Sequence, residues 1–270
     1  MNPLEAALLG LLQGLTEFLP VSSSGHLVLG QALLGIHVPG VAFEVTVHVA
    51  TLLAVLVVYR RRIVELVRGL LTGDRDSGAY VGLLVVASVP AAAVGLTARP
   101  FLEGAFERPS LAAGFLLLSG VFAWSIDRTT QRQTAAGAVR ERPSLLGAVV
   151  VGLAQALAIL PGISRSGSTV AVGAGTGVGV VRMAEFSFLL SVPAIAGAAL
   201  VLLVEREGAS NGVAALPLIV GFAVATVSGI LAIHLFVRML RSRHFRWFAY
   251  YCWLVGGAYL LAAAMAPGLR

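Results

Sequence analysis

Long apolar runs separated by arginines dominate this chain, and lipid leaves such a chain few folds. Runs at about 42–59, 79–98, 110–127, 183–204 and 215–238, with a sixth at about 247–266, each have the length that crosses a bilayer. Backbone in hydrocarbon must satisfy its own N–H and C=O groups, so runs of this kind form helices. Barrel strands would read instead as alternating segments of about ten residues. Only 12% of the residues are charged and the mean hydropathy is +0.91, whereas a soluble domain carries about 25% charged residues. The expected fold is therefore all-α and polytopic, one integral membrane domain over residues 1–270. The single cysteine, Cys252, excludes an intramolecular disulfide and a cysteine metal cluster. The net charge of +6 rests on arginine alone, and in a chain this apolar it points to cytoplasmic loops rather than nucleic acid.

Two apolar regions, 4–35 and 144–180, are interrupted by polar motifs: Leu19-Pro-Val-Ser-Ser-Ser-Gly-His26 and Leu160-Pro-Gly-Ile-Ser-Arg-Ser-Gly-Ser-Thr169. Their halves are too short to span, so each region reads as a re-entrant helix pair. Irregular backbone at membrane depth has to line a cavity or pack inside protein, which makes these breaks candidate sites. At the N-terminus, Met1-Asn-Pro-Leu-Glu5 lacks the positive stretch of a cleaved signal peptide, and Pro3 suits the first turn of a helix.

The arginines orient the chain. Fourteen of the 19 fall in alternate connections: Arg60, Arg61, Arg62, Arg68 and Arg75; Arg128, Arg132, Arg140 and Arg142; Arg182; and Arg238, Arg241, Arg243 and Arg246. The positive-inside rule assigns these to the cytoplasm and leaves the connections near 99–109 and 205–214 outside. A shift of 142 residues superposes Gln13 on Gln155, Ser22 on Ser164, Ser24 on Ser166 and Gly25 on Gly167, and a shift of 141 brings Glu44 onto Glu185. Repeat 1 (about 1–128) and repeat 2 (about 143–270) each read as one broken pair plus three transmembrane helices, in opposite orientations. Such an inverted repeat sets the two breaks face to face near mid-membrane.

The residues at the breaks suit phosphate chemistry. Gln13 and Glu17 share one helix face that leads to the first break. There Ser22, Ser23 and Ser24 line the turn and Gly25-His26 opens the next helix, a helix N-terminus with hydroxyls that forms an anion site. Ser164, Arg165, Ser166, Ser168 and Thr169 offer a second donor-rich turn. Arg165 is the one arginine deep within an apolar region and requires an anionic partner or ligand, and its planar fork matches phosphate oxygens. A carboxylate holds Mg²⁺ or Ca²⁺ against phosphates, arginine stabilises charge on the transferring group, and histidine serves as base, acid or nucleophile.

The stretches Gln13-Gly-Leu-Thr-Glu17-Phe-Leu-Pro-Val-Ser-Ser-Ser-Gly-His26 and Pro161-Gly-Ile-Ser-Arg-Ser-Gly-Ser-Thr169 resemble the two signatures of the undecaprenyl-diphosphate phosphatase family, the bacitracin-resistance type. The likeness runs nearly the full chain, including Phe43-Glu44 and Phe186-Ser-Phe-Leu-Leu-Ser-Val-Pro193. It implies an inner-membrane hydrolase, open to the outer face, that removes one phosphate from undecaprenyl diphosphate and recycles the carrier for peptidoglycan synthesis. It also implies a divalent cation, Mg²⁺ or Ca²⁺. By this resemblance Glu17, Ser23, His26 and Arg165 are catalytic, with the nucleophile left between Ser23 and His26. Ser22, Ser24, Ser164, Ser166 and Thr169 bind phosphate. Glu17 holds the metal with support from Gln13, where many members carry glutamate, and Glu44 and Glu185 are supporting. The expected partners are a polyprenyl diphosphate and membrane lipids, with no nucleic acid and a homodimer left open.

A transporter or flippase of a polyprenyl phosphate or another anion is the rival class, because inverted repeats with midplane breaks are a transporter plan. The Glu17–Ser23–His26 set separates the two, since simple anion binding does not need it. Arg165 has Glu17, Glu44 and Glu185 as candidate ion-pair partners. His48 and His234 read as packing histidines, and His37 and His244 as loop residues. The glycine run from Gly173 to Gly179 lacks the lysine of a phosphate loop and reads as close packing or an unwound segment.

Overall fold

The computed structural model describes residues 1–34, 42–136, 139–204, 214–242 and 245–265. Among these residues the chain forms α1 (Pro3–Phe18), α2 (Ser23–Leu34), α3 (Ala42–Val58), α4 (Arg60–Thr72), α5 (Arg75–Thr97), α6 (Arg99–Phe106), α7 (Pro109–Ala136), α8 (Leu145–Leu157), α9 (Arg165–Gly175), α10 (Val180–Val204), α11 (Ala215–Ser242) and α12 (Arg246–Met265). The all-α expectation holds, with a single isolated bridge between Arg140 and Val178 as the only β pairing described. His37, His244 and most of the 205–214 connection lie outside the described residues.

Local sequence explains where each broken pair starts and stops. Asn2 caps α1 by accepting from Glu5 N at 2.9 Å, while the Glu5 carboxylate accepts from Asn2 N at 2.8 Å, a reciprocal capping box. At the other end Pro20 forces Leu19 into extended backbone (φ −72°, ψ 151°), so α1 stops at Phe18. Ser22 then takes a left-handed conformation, φ 65°, and its Oγ accepts from Gly25 N at 3.2 Å to cap α2. The second break repeats this design. Gly162 supplies the left-handed turn at φ 96°, and Ser164 Oγ accepts from Gly167 N at 3.0 Å to cap α9.

Among the described residues five helices, α5, α7, α10, α11 and α12, are long and apolar enough to cross a membrane, and α3 with α4 makes a sixth candidate crossing bent by 75°. The arginines at 60–62 suggest a plain connection after the first span, but Arg60–Thr72 is a helix. Ile63, Leu66, Val67 and Leu70 recur at helical spacing among the arginines, an amphipathic pattern too short to span. The connection near 99–109 likewise contains a short helix, α6.

Lipid gives little hydrophobic drive for helix association, so close packing through small residues matters more. Along the α1–α11 contact a Cβ placed on Gly10 would meet Gly221 O at 2.5 Å, so the backbones touch. α8 lies against α5, α3 against α10 and α11, and α7 against α12. Side chains such as Val85, Leu254 and Leu261 remain exposed, the surface that a bilayer covers. Inside, an edge-on aromatic chain runs from Phe18 to Phe188 (5.5 Å), Phe236 (5.1 Å) and Phe245 (5.1 Å). It begins one residue from Glu17 and backs the site with packed apolar rings.

Candidate active site

The two breaks meet. A Cβ on Gly25 would lie 2.8 Å from Gly162 Cα, and one on Gly167 would lie 3.2 Å from Pro20 Cβ. Ser164 Oγ and Ser166 Oγ donate to Leu19 O, at 3.4 and 3.1 Å, tying the second turn to the first. Ser119 on α7 locks the second turn from behind, accepting from Ser164 N at 2.7 Å and donating to Gly162 O at 2.7 Å.

Glu17 is the hub of this junction. Its Oε1 accepts from Arg165 Nη2 at 2.8 Å, and its Oε2 accepts from Ser23 Oγ at 2.5 Å and from Gln13 Nε2 at 2.9 Å. His48 Nε2 stands 3.9 Å from the same oxygen. Of the three carboxylates that could have neutralised Arg165, Glu17 does so. Both side chains are largely buried, and removing one partner of such a pair costs about 3–5 kcal/mol because the other charge is stranded. Arg165 Nη1 also donates to Ser187 O at 2.9 Å. A guanidinium carries five N–H donors, so these two bonds leave others for a ligand.

A cavity of about 390 Å³ opens on this group. Its polar lining residues are Glu17, Ser22, Ser23, Ser24, Ser164, Arg165, Glu44 and His48. Its apolar lining residues include Val45, Val49, Phe106, Ile159, Ile163 and the α10 residues Ala194, Ile195, Ala198 and Ala199. The N-termini of α2 and α9 both begin at its wall, so their free N–H groups and helix dipoles favour an anion there. A polar head with several negative charges and a long apolar tail matches this lining.

Several expected residues lie elsewhere. Ser166 and Thr169 are fully buried behind the turn. Ser166 Oγ is spent on Leu19 O, and Thr169 Oγ1 is bonded to Ser187 Oγ and Arg165 O at 2.7 Å each. They hold Arg165 and the turn rather than line the cavity. His26 also faces away. Its Nδ1 pairs with Ser22 O at 2.8 Å and its Nε2 with Tyr251 Oη at 2.9 Å.

The two symmetric glutamates separate. Glu44 lines the cavity and accepts from Gln31 Nε2 at 3.3 Å. Glu185 instead pairs with Arg62 Nε at 3.0 Å in a second, polar cavity of about 650 Å³ lined by Asp76, Glu141, Arg142 and Arg182. The bend after α3 brings Arg62 to that carboxylate. Glu185 is therefore not a supporting residue of the Glu17 site.

His48, rather than packing in the core, forms part of the wall, its Nδ1 bonded to Glu44 O at 2.7 Å. The spacing of four between Glu44 and His48 is the signal that puts both on one face. His234 sits on an exposed face, bonded to Ile230 O at 2.7 Å. Nothing in the sequence marks Ser119 or Tyr251, and Ser187 falls in the Phe186–Pro193 stretch of the resemblance without a role assigned to it.

Gln13 bears on metal binding. It is fully buried, and its Oε1 has no hydrogen-bond partner among the described residues. Beside the Glu17 carboxylate this orphaned oxygen fits a hard cation. No three His, Cys, Asp or Glu side chains among the described residues are placed to hold one metal ion. Such a cation would therefore take its remaining ligands from water and phosphate, the usual habit of Mg²⁺.

Residues 6–258 match the model of the family described as bacitracin resistance protein BacA. The chain belongs to that family. It is 38% identical to an undecaprenyl-diphosphatase of Carboxydothermus hydrogenoformans over 98% of both chains. With the undecaprenyl-diphosphatase of Syntrophotalea carbinolica the identity is 42% over 96% of this chain and 98% of that one. With that of Bacteroides thetaiotaomicron it is 38% over 97% and 99%. The likeness covers both breaks, so Glu17, Ser23 and Arg165 all lie within the BacA family match.

Proposed function

We propose that this BacA-family protein hydrolyses undecaprenyl diphosphate to undecaprenyl phosphate and inorganic phosphate, recycling the lipid carrier for peptidoglycan synthesis and conferring bacitracin resistance. The carrying observation is Glu17 held between Ser23 Oγ and Arg165 at the wall of a cavity lined by both polar and apolar residues. The diphosphate lies against Ser22, Ser24, Ser164 and the free N–H groups of Arg165. The isoprenoid tail follows Ile159, Ile195 and Ala198 towards lipid.

Ser23 is the nucleophile in this reading because its hydroxyl already donates to a carboxylate at 2.5 Å. Its Oγ attacks the terminal phosphorus while Glu17 takes its proton. The bond between that phosphorus and the bridging oxygen breaks, and undecaprenyl phosphate leaves with the bridging oxygen. Glu17 gives its proton up to that departing oxygen and, a carboxylate again, accepts one from the water that then cleaves the phosphoserine, and the serine oxygen departs with that proton. Arg165 and the two helix N-termini stabilise charge on the equatorial oxygens. His26, with both ring nitrogens engaged away from the cavity, fixes the turn rather than attacking phosphorus. Mg²⁺ or Ca²⁺ would be held by Glu17 and Gln13 Oε1, and when bound it neutralises phosphate charge.

The protein sits in the inner membrane with this cavity open to the periplasm. The arginine-rich connections, all at other positions than the cavity wall, support that orientation. The α1–α11 and α8–α5 contacts exchange the roles of the two halves, which supports the inverted repeat. One observation favours lipid translocation as an additional activity: Glu44 and Glu185, at matching positions, line two separate cavities.

The test is phosphate release from a polyprenyl diphosphate by the purified protein in detergent. Release that stops with EDTA and in Arg165→Ala supports the reading. Release that continues in both would sink the metal and the Arg165 assignments together.

A further inference from the structure

We propose that Tyr251 on α12 is a positioning residue for the serine turn, acting through His26. The proposal rests on Ser23 being the nucleophile. Among the described residues Ser22 is the only non-glycine residue with positive φ, at 65°. An L-residue does not hold that conformation unaided. The left-handed turn at Ser22 sets the direction in which Ser23 begins α2 and presents Oγ to Glu17.

The Ser22 carbonyl is the handle. It accepts from His26 N at 3.1 Å and pairs with His26 Nδ1 at 2.8 Å. A carbonyl is only an acceptor, so Nδ1 carries the proton and the neutral ring presents Nε2 as an acceptor. Tyr251 Oη pairs with Nε2 at 2.9 Å, and with this tautomer the hydroxyl is the donor. The two rings also stack, with centroids 5.5 Å apart and planes within 6°. The next residue, Cys252, directs its Sγ to Pro20 O at 3.6 Å. Two consecutive residues of α12 thus grip both sides of the turn, one at Pro20 and one, through His26, at Ser22.

Tyr251 does not line the cavity, so its hydroxyl sets the tautomer and ring plane of His26 and touches no reacting atom. Losing it should loosen the aim of Ser23 and leave the phosphate-binding groups in place. In the full chain, Tyr251→Phe should lower kcat about threefold to tenfold, the worth of one neutral hydrogen bond, with KM for the polyprenyl diphosphate unchanged. Tyr251→Ala, which also loses the stacked ring, should lower kcat further.

A second pair of variants leaves α12 untouched and keeps the proposal falsifiable should the Tyr251 variants fail to fold. His26→Asn retains an N–H that reaches Ser22 O and should keep more activity than His26→Ala. Wild-type kcat in Tyr251→Phe, or a change in KM alone, overturns the proposal. So does His26→Asn that is as inactive as His26→Ala, because the imidazole itself is then needed. Failure of the underlying reading looks different: wild-type activity in Ser23→Ala removes Ser23 as nucleophile and this proposal with it. Loss in Ser23→Ala beside wild-type kinetics in Tyr251→Phe removes only the role of Tyr251.

Discussion

The two breaks share a scaffold and differ in chemistry. Each is an apolar helix stopped near a proline, a left-handed residue and a serine cap that accepts from a glycine N–H three positions on. At matching positions the first break carries Glu17 and Ser23, and the second carries Ile159 and Arg165. The first half therefore supplies a carboxylate and a hydroxyl, and the second half supplies the cation that faces them. Gln13 and Gln155 show the same divergence. Gln13 Nε2 bonds Glu17, while both amide atoms of the buried Gln155 lack a partner among the described residues. A duplicated turn can thus keep its backbone while its side chains specialise, because capping and close packing constrain few positions.

Substitutions at matched positions probe this division of labour. Glu17→Gln should lower kcat by about 10²–10⁴, the usual worth of a general base, while Ile159→Val at the matching site should leave kcat close to wild type. Equal losses in steady-state phosphate release would mean that the halves share the chemistry. A smaller effect, on stability, separates the glycines. Gly25→Ala drives a Cβ to 2.8 Å from the Gly162 backbone, an overpacking worth about 1–3 kcal/mol, whereas Gly167→Ala meets Ser164 and Pro20 at a looser 3.1–3.2 Å. Thermal unfolding should therefore show the lower Tm for Gly25→Ala; the reverse order would mean that the breaks do not meet as described.

The smallest effect belongs to the glutamines. Gln155→Leu removes an unpaired buried amide, whose burial costs about 1–3 kcal/mol, and should raise Tm by a few degrees without changing kcat. Gln13→Leu should lower kcat, because it takes away a bond to Glu17 and an oxygen beside it. A Tm that falls in Gln155→Leu would show that its amide has a partner.

Much of this is legible in the sequence because its causes are local. Pro20 and Pro161 stop helices, serine caps start them, and the apolar runs give the span helices to within four residues except α7, which runs nine residues past its expected end, to Ala136. Arg165 announces itself by its position in an apolar region. Its partner does not, since Glu17, Glu44 and Glu185 are equally intramembrane in one dimension. Only the fold separates them, through the bend after α3 that delivers Arg62 to Glu185. The helix at Arg60–Thr72 escapes a reading by composition because arginines at its start mask a short amphipathic pattern. Tyr251 is invisible for a plainer reason: it meets His26 across 225 residues of chain, and no spacing rule reaches that far.

If Ser23, aimed by Glu17, attacks phosphorus opposite Arg165, a phosphoserine must form during turnover. Rapid-quench trapping with a polyprenyl diphosphate radiolabelled in its terminal phosphate, comparing wild type with Ser23→Ala, detects that intermediate. The expected result is transient label on the Ser23 peptide of the wild-type protein and neither label nor phosphate release in Ser23→Ala. Phosphate release by Ser23→Ala within about tenfold of wild type, with no labelled protein in either, would contradict it.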